Sequence, residues 1–542
     1  MARMTATYVY SLIRLFASSA SLSTRRWSPE RTTSAAFGYV PTYVTCLRYD
    51  QGVMGGVNAA PDYLKEVNLG SSEGAVTDTT EQGGIVSVYY LGCIVGCFAG
   101  GWLADRMGRI NGLFFSAAFA LIGGALQAAT QSSTFIIVAR VVTGLGTGAL
   151  TGITPVLVSE MSDSKHRGSF LGYVFIANYL GISVAYWLNF GLAFIDGGQS
   201  SVRWRFLLAF QCVPALLLLI GIRLLPDSPR YYASVGKSQE AREVLLHIRG
   251  SESEEFEQEY TMIVAMAEES VKSSPIEFLK IVLGIDKQKA PHLGRRAWLS
   301  IWLQIMASWT GITAVTAYSP VLLSQAGYSE IKQNGLAGGL NTIGIVGTII
   351  SAQIVDRLGR RVCLILGAGG LAAVNLIAGA LYEVTRHDQS RASTIAPAAV
   401  TMLFLFNLFY AATWGTVAFL LPTEIFPSEM RAQGNGFGIT GWAIGVGWTT
   451  LVNPIMFANI ESRTYFLFAG LNFLWIPIVF LFYPETKDRS LESIETMFTA
   501  KPFHWHMERA YAAHGGLMDE QGMVGAKSLG CKDAGADAHE EI

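Results

Sequence analysis

The sequence predicts an all-α membrane protein, with about twelve transmembrane helices in two six-helix halves. Three observations carry that reading. The 542 residues are 51% hydrophobic and only 15% charged, with a mean hydropathy of +0.35; a soluble chain carries about 25% charged residues. Apolar runs of about 20 residues recur along the chain, each long enough to cross a bilayer as a helix. A set of polar marks also appears twice in the same order, which argues for a duplicated unit. Gly101-Trp102-Leu103-Ala104-Asp105-Arg106-Met107-Gly108-Arg109 returns as Asp356-Arg357-Leu358-Gly359-Arg360-Arg361. Glu160 with Arg167 returns as Glu424 with Arg431, and Pro226-Asp227-Ser228 returns as Pro484-Glu485-Thr486. The second copies lie 251, 264 and 258 residues after the first.

Residues 1–34 read as a cytosolic tail. They hold Arg3, Arg14, Arg25, Arg26 and Arg31, with no acid before Glu30. That composition also suits a mitochondrial transit peptide, whereas the positive-inside rule asks for a basic segment in the cytosol. The first half is expected over 35–225, with spans near 35–60, 83–104, 111–130, 135–158, 169–194 and 205–225. Pro41, Arg48 and Asp50 interrupt the first of these. A charge at membrane depth is costly, so it is a functional candidate by default. Residues 61–81 read as an acidic loop. A hydrophilic block, 226–296, follows, with a helix-like segment from Ser238 to Arg249. The second half is expected over 297–500, with spans near 297–323, 334–355, 362–383, 396–421, 434–457 and 464–483. The tail, 501–542, is polar and glycine-containing, and disorder is expected there.

Basic residues in short loops set the orientation. Arg106, Arg109, Lys165, Arg167, Arg295, Arg296, Arg357, Arg360, Arg361, Arg431, Lys487 and Arg489 all fall on one side, which places both termini and the central block in the cytosol. A net charge of −2 offers nothing to nucleic acid. The chain has no Gly-rich phosphate loop, no His-Glu-x-x-His and no nucleophile elbow, so an enzyme is not expected. Cys93 and Cys97 share a helix face without a His or carboxylate beside them, which suits packing rather than metal. No cofactor and no metal are expected; the expected partners are the bilayer and a small polar solute, and the chain is expected to be a monomer.

Taken together, these motifs resemble the major facilitator superfamily, and within it the sugar-porter family in its fungal style. The resemblance covers about residues 49–500. It rests on Gly101 to Arg109, on Arg140 with Gly144, Gly146 and Gly148, and on Pro155, Glu160, Arg167 and Gly168. It continues through Pro226-Asp227-Ser228-Pro229-Arg230, Gly311, Tyr318, Pro320 and Asp356 to Arg361. Trp414-Gly415, Glu424-x-Phe426-Pro427-x-x-x-Arg431 and Pro484-Glu485-Thr486-Lys487 complete it. The resemblance implies a plasma-membrane carrier whose halves rock about a central site. It also implies a cytosolic gating network of Asp105, Arg106, Arg109, Glu160, Arg167, Arg230, Asp356, Arg357, Arg360, Arg361, Glu424 and Arg431. Asp50 stands where proton-driven members carry an Asp in the first helix, and Arg140 where they carry its partner, so proton symport is implied. Export of a specialised metabolite, or nutrient sensing without transport, stay open as alternatives.

The departures from the family pattern bear on both ends of this reading. Leu47-Arg48 stand where Phe-Gly is usual before Tyr-Asp. Phe37-Gly38 occur ten residues earlier, so Tyr39 to Arg48 read as an extra segment, as a retained intron would give. Ile110 replaces the last basic residue of the first loop motif. The amides that hold sugar hydroxyls in the family are mostly changed. Phe175 replaces a Gln; Gln304 is kept, but Ala307-Ser308 replace a Gln pair and Thr313 an Asn. Gly344 replaces an Asn, with Asn341 one turn away. Trp414 is kept, but Thr416, Ala418 and Phe419 replace Pro, Pro and Trp, and Trp442 and Trp448 sit in a frame without its usual Asn. Gln304, Thr313, Asn341, Asn178, Phe175, Trp414 and Trp442 are the expected pocket residues. Four or five lost hydrogen bonds forgo roughly 2–7 kcal/mol, against about 4 kcal/mol for millimolar binding. Glucose transport is therefore expected to be weak or absent.

Overall fold

The computed structural model describes residues 48–70, 76, 78–161, 167–195, 200–223, 225–269, 280–284, 292–325, 327–387, 392–427, 431–489 and 491–515. Among the described residues, helices stand at all twelve expected spans, in the predicted order. The first half holds α1 (48–57), α2 (Thr79–Met107), α3 (Arg109–Ala128), α4 (Ser133–Met161), α5 (Arg167–Leu192) and α6, which joins Ser201–Phe210 to Cys212–Ile222. The second half holds α7, starting as Leu293–Ala307, then α8 (Glu330–Leu358), α9 (Arg360–His387) and α10, which joins Ala392–Ala412 to Trp414–Glu424. It closes with α11 (Arg431–Asn459) and α12 (Arg463–Phe482). Among the described residues nine helices are long and apolar enough to cross a bilayer on that ground alone. The other three are α1, described over ten residues, the interrupted α7, and α11, which is diluted by glycine and threonine.

Each loop motif turns at a glycine with positive φ. Gly108 (φ +96°) separates α2 from α3, and Gly359 (φ +92°) separates α8 from α9. In that left-handed region a side chain is strained. The space is taken as well, since a Cβ on Gly108 would strike the Asp227 carboxylate and one on Gly359 would lie 2.5 Å from Glu485 Oε2. Those two acids cap the helices that follow. Asp227 accepts from the backbone N–H of Arg109 (3.0 Å) and Ile110 (3.2 Å), and Glu485 from Arg360 (2.8 Å) and Arg361 (3.1 Å). Burial pushes the Asp227 carboxyl above its ordinary value, and the N–H bonds from Ser228, Ile110 and Arg109 draw it back. Gly108→Ala and Gly359→Ala are each expected to lower stability by about 1–3 kcal/mol, measured by thermal unfolding of the purified protein.

α7 is broken. A π turn at Ser308–Ile312 contains Gly311 at φ +108°, after which the helix resumes as Thr313–Ala317. A break in a membrane helix frees backbone groups that must find partners inside the protein. Here the Thr310 carbonyl accepts from the side-chain amides of Asn472 (2.8 Å) and Asn375 (3.3 Å), on α12 and α9.

The halves meet along α2 against α11 and α5 against α8. At the end away from the loop motifs they are tied. Tyr186 donates to the Thr316 carbonyl, Asn189 Nδ2 to Asn334 Oδ1 (2.9 Å), and Arg203 pairs with Glu330.

Two sequence expectations change. The stretch 61–81, read as a loop, contains the helix Pro61–Glu66, with Pro61 at its first turn, where a missing N–H costs nothing. The tail is not disordered from residue 501: His504–Ala510 is a helix. Phe503 stacks on Phe482 of α12 (5.6 Å), Met507 is fully buried and Arg489 pairs with Glu508 (2.8 Å). Those apolar contacts outweigh the polar composition. Residues 39–47 of the proposed extra segment lie outside the described residues.

Candidate functional site

A cavity of about 90 Å³ sits between the halves. Arg48, Gln51 and Gly52 of α1, Tyr90 of α2, and Asn178, Tyr179 and Ile182 of α5 line it from one side. From the other come Gln304, Ser308, Thr313 and Thr316 around the α7 break, Tyr410 and Phe419 of α10, and Trp442 and Val446 of α11. Sites for small molecules usually measure about 300–1,000 Å³, so this space is small for one. Tyr90 meets Trp442 edge-on across the halves, with centroids 5.5 Å apart.

Behind α1 lies an ion pair removed from solvent. Arg140 Nη1 reaches Asp50 Oδ1 at 3.2 Å; Arg140 is 1% exposed and Asp50 2%. Gln127 Nε2 lies 3.5 Å from the same oxygen and donates to Thr143 at 2.6 Å. The guanidinium also covers the Tyr89 ring at 4.5 Å. A buried pair of this kind holds two charges only while both partners stay in register.

At the loop-motif end two further clusters repeat each other. Arg109 grips Glu160 with Nε and Nη2, both at 3.2 Å, and Asp105 stands 3.5 Å away. Arg360 grips Glu424 with Nη2 at 2.9 Å and Nε at 3.2 Å, with Asp356 at 3.2 Å, and Thr486 Oγ1 donates to Glu424 at 2.6 Å. Among the described residues these ion pairs close within their own half.

The family model "Sugar (and other) transporter" matches residues 41–498. The chain belongs to this family. The transporter is 31% identical to "Glucose transporter GlcP" of Staphylococcus epidermidis, over 82% of its own length and 93% of that protein's. It is 27% identical to "Quinate permease" of Neurospora terricola, over 86% and 88%. Its fold matches the solved proton:xylose symporter XylE of E. coli, bound to 6-bromo-6-deoxy-D-glucose, with a TM-score of 0.69 at 22% identity, covering 87% of this chain and 100% of that one. The transporter is therefore an integral, multi-pass membrane protein of the major facilitator fold, and not an enzyme.

Four of the seven expected pocket residues line the cavity: Gln304, Thr313, Asn178 and Trp442. Gln304 Nε2 is committed to the Ala418 carbonyl (2.8 Å), and Thr313 accepts from Thr449 (3.0 Å). The other three do not reach the cavity. Trp414 points its indole N–H at the Leu364 carbonyl (3.0 Å) and is fully buried between helices of its own half. Asn341 is buried in α8 and donates to the Ala337 carbonyl (2.9 Å). Phe175 lies one layer back, against Phe419 (5.8 Å). Sequence reasoning did not name Gln51, Tyr90, Tyr179 or Tyr410 as lining, and it noted Phe419 only as a departure at a family pocket position. It singled out Arg48 as a charge in a span and as the end of the extra segment, not as lining, and its charge was the available signal.

Of the expected gating residues, Asp105, Arg109, Glu160, Asp356, Arg360 and Glu424 form the two clusters. Arg106 covers Trp102 at 4.4 Å, Arg361 donates to the Phe480 carbonyl at 2.6 Å, and Lys487 Nζ meets the Arg357 carbonyl at 2.8 Å. Arg230 is exposed beside its helix cap, Ser228. The side chains of Arg167 and Arg431 lie outside the described residues. Ile110, the departure from the first motif, is buried against Leu113 and Ile153, which suits an apolar side chain there.

Proposed function

We propose that this transporter moves a carbohydrate-like polar solute across the plasma membrane together with protons, as a monomer with its central block in the cytosol. The observation that carries this reading is the buried Asp50–Arg140 pair directly behind α1, whose residues Arg48, Gln51 and Gly52 line the cavity. A guanidinium holds a carboxylate ionised, and separation in a buried site favours the proton. Motion of α1 against α4 would therefore load and unload one proton per cycle. The two loop-motif clusters would clamp the cytosolic ends of the helices while the halves rock.

For the cargo, the lining favours a solute with fewer hydroxyl contacts than a pyranose needs. Gln304 and Asn178 offer amides, but much of the remaining wall is aromatic: Tyr90, Tyr179, Tyr410, Phe419 and Trp442. A polyol-like or quinate-like compound fits this wall, in line with the quinate permease among the relatives. A hexose is the second reading, supported by the kinship to the glucose transporter. Expression in a cell without its own hexose carriers decides between them. Quinate or polyol uptake should saturate, while growth on glucose should not be restored. Saturable glucose uptake below millimolar concentration would reverse the order.

A further inference from the structure

The central cavity holds a cation that no acid answers. Among the described residues lining it, Arg48 is the one charged side chain. Its guanidinium stands 4.9 Å from the Trp442 ring and 5.8 Å from the Phe419 ring, and Nη1 donates to Gln51 Oε1 at 2.6 Å. These partners orient a guanidinium and soften its desolvation, but none carries a negative charge. Asp50 does not serve. Two residues along a helix of 3.6 residues per turn puts it on the far side of α1, where it is spent on Arg140.

We infer that the cargo is a polyhydroxylated monocarboxylate whose carboxylate pairs with Arg48. This rests on the transport reading above and narrows it to one chemical class. A half-buried cation with no acid facing it is costly. A carboxylate removes that cost, whereas a neutral sugar leaves it and an amine adds to it. The planar fork of a guanidinium matches a carboxylate with two parallel hydrogen bonds, and the Trp442 ring, 4.9 Å away, backs it. The remaining contacts suit hydroxyls. Asn178 Oδ1 is buried without a hydrogen-bond partner and accepts, and Gln304 and Thr313 stand across the cavity. The anchor also lies on the helix that carries Asp50, so a cargo held by Arg48 is coupled mechanically to the element that would carry the proton.

The test uses the purified full-length carrier and two matched pairs, quinate with myo-inositol and D-glucuronate with D-glucose, read by thermal stabilisation. A ligand at free concentration L that binds the folded state raises its apparent stability by RT ln(1 + L/Kd), so the rise with concentration reads the affinity. At least one acid should stabilise the wild type, increasingly with concentration, while its neutral counterpart does not. Arg48→Gln should weaken that acid by about 100-fold, and Arg48→Lys should recover part of it. Equal stabilisation by an acid and its neutral partner, or an unchanged acid affinity in Arg48→Gln, overturns the inference and leaves the transport reading intact. The wild-type comparison stands even where a variant does not fold. Failure of all four probes, both in this assay and as cargo in proteoliposomes, overturns the inference and the transport reading together. A mature transcript that skips residues 39–48 would put Gly38 in place of Arg48, and that too overturns it.

Discussion

Asp50→Asn is expected to abolish accumulation of cargo against its gradient while sparing part of the exchange between cargo on the two sides. Asn has nearly the shape of Asp and can still accept from Gln127 and Arg140, but it carries no titratable proton. Each cycle then returns with no proton movement to drive it, and cargo only equilibrates. Residual exchange is the control for folding, because only a folded carrier exchanges. The substitution also strands Arg140, which is 1% exposed. Breaking a buried pair from one side costs about 3–5 kcal/mol. If the single variant is too unstable, the double change Asp50→Asn with Arg140→Gln removes both charges and should restore stability without restoring uphill transport. Counterflow and proton-driven uptake, measured side by side in proteoliposomes, read the two activities apart. Undiminished uphill transport in the variant would end the proton-coupling proposal.

Glu160→Ala and Glu424→Ala are expected to be the most destabilising single changes at the loop-motif end, at about 3 kcal/mol each. Each leaves a guanidinium largely enclosed: the Arg109 side chain is 14% exposed and that of Arg360 13%. Asp105→Ala and Asp356→Ala touch the same arginines but should cost at most about 1 kcal/mol. Those two carboxylates are 32% and 74% exposed, so water already screens them. The contrast separates a packed ion pair from a string of surface charges. Thermal unfolding of the four purified variants reads it directly, and Asp356→Ala matching Glu424→Ala would show that the burial argument is wrong. Because the two clusters repeat each other, the two glutamates should behave alike.

The sequence by itself determined the number and order of the helices, the duplication and the positions of the repeated polar marks. All of these are written locally. A span is about 20 apolar residues, and a hinge glycine followed by arginine marks a helix start wherever it occurs. The matching offsets set Glu160 with Arg167 and Glu424 with Arg431; that Glu160 instead meets Arg109, and Glu424 meets Arg360, is visible only in the fold. The cavity lining was decided only by the tertiary structure. A membrane helix is apolar toward lipid and toward its neighbours alike, so it lacks the polar stripe that tells a soluble helix which way to face. Trp414 and Trp442 therefore read alike in the sequence. The break of α10 at Thr413 turns Trp414 into the packing between helices, while the approach of α2 to α11 brings Trp442 to the cavity. Arg48 shows the same limit. Its charge was legible, but its place between two aromatic rings, with its acidic neighbour Asp50 turned away to Arg140, depends on how α1, α10 and α11 meet across the two halves.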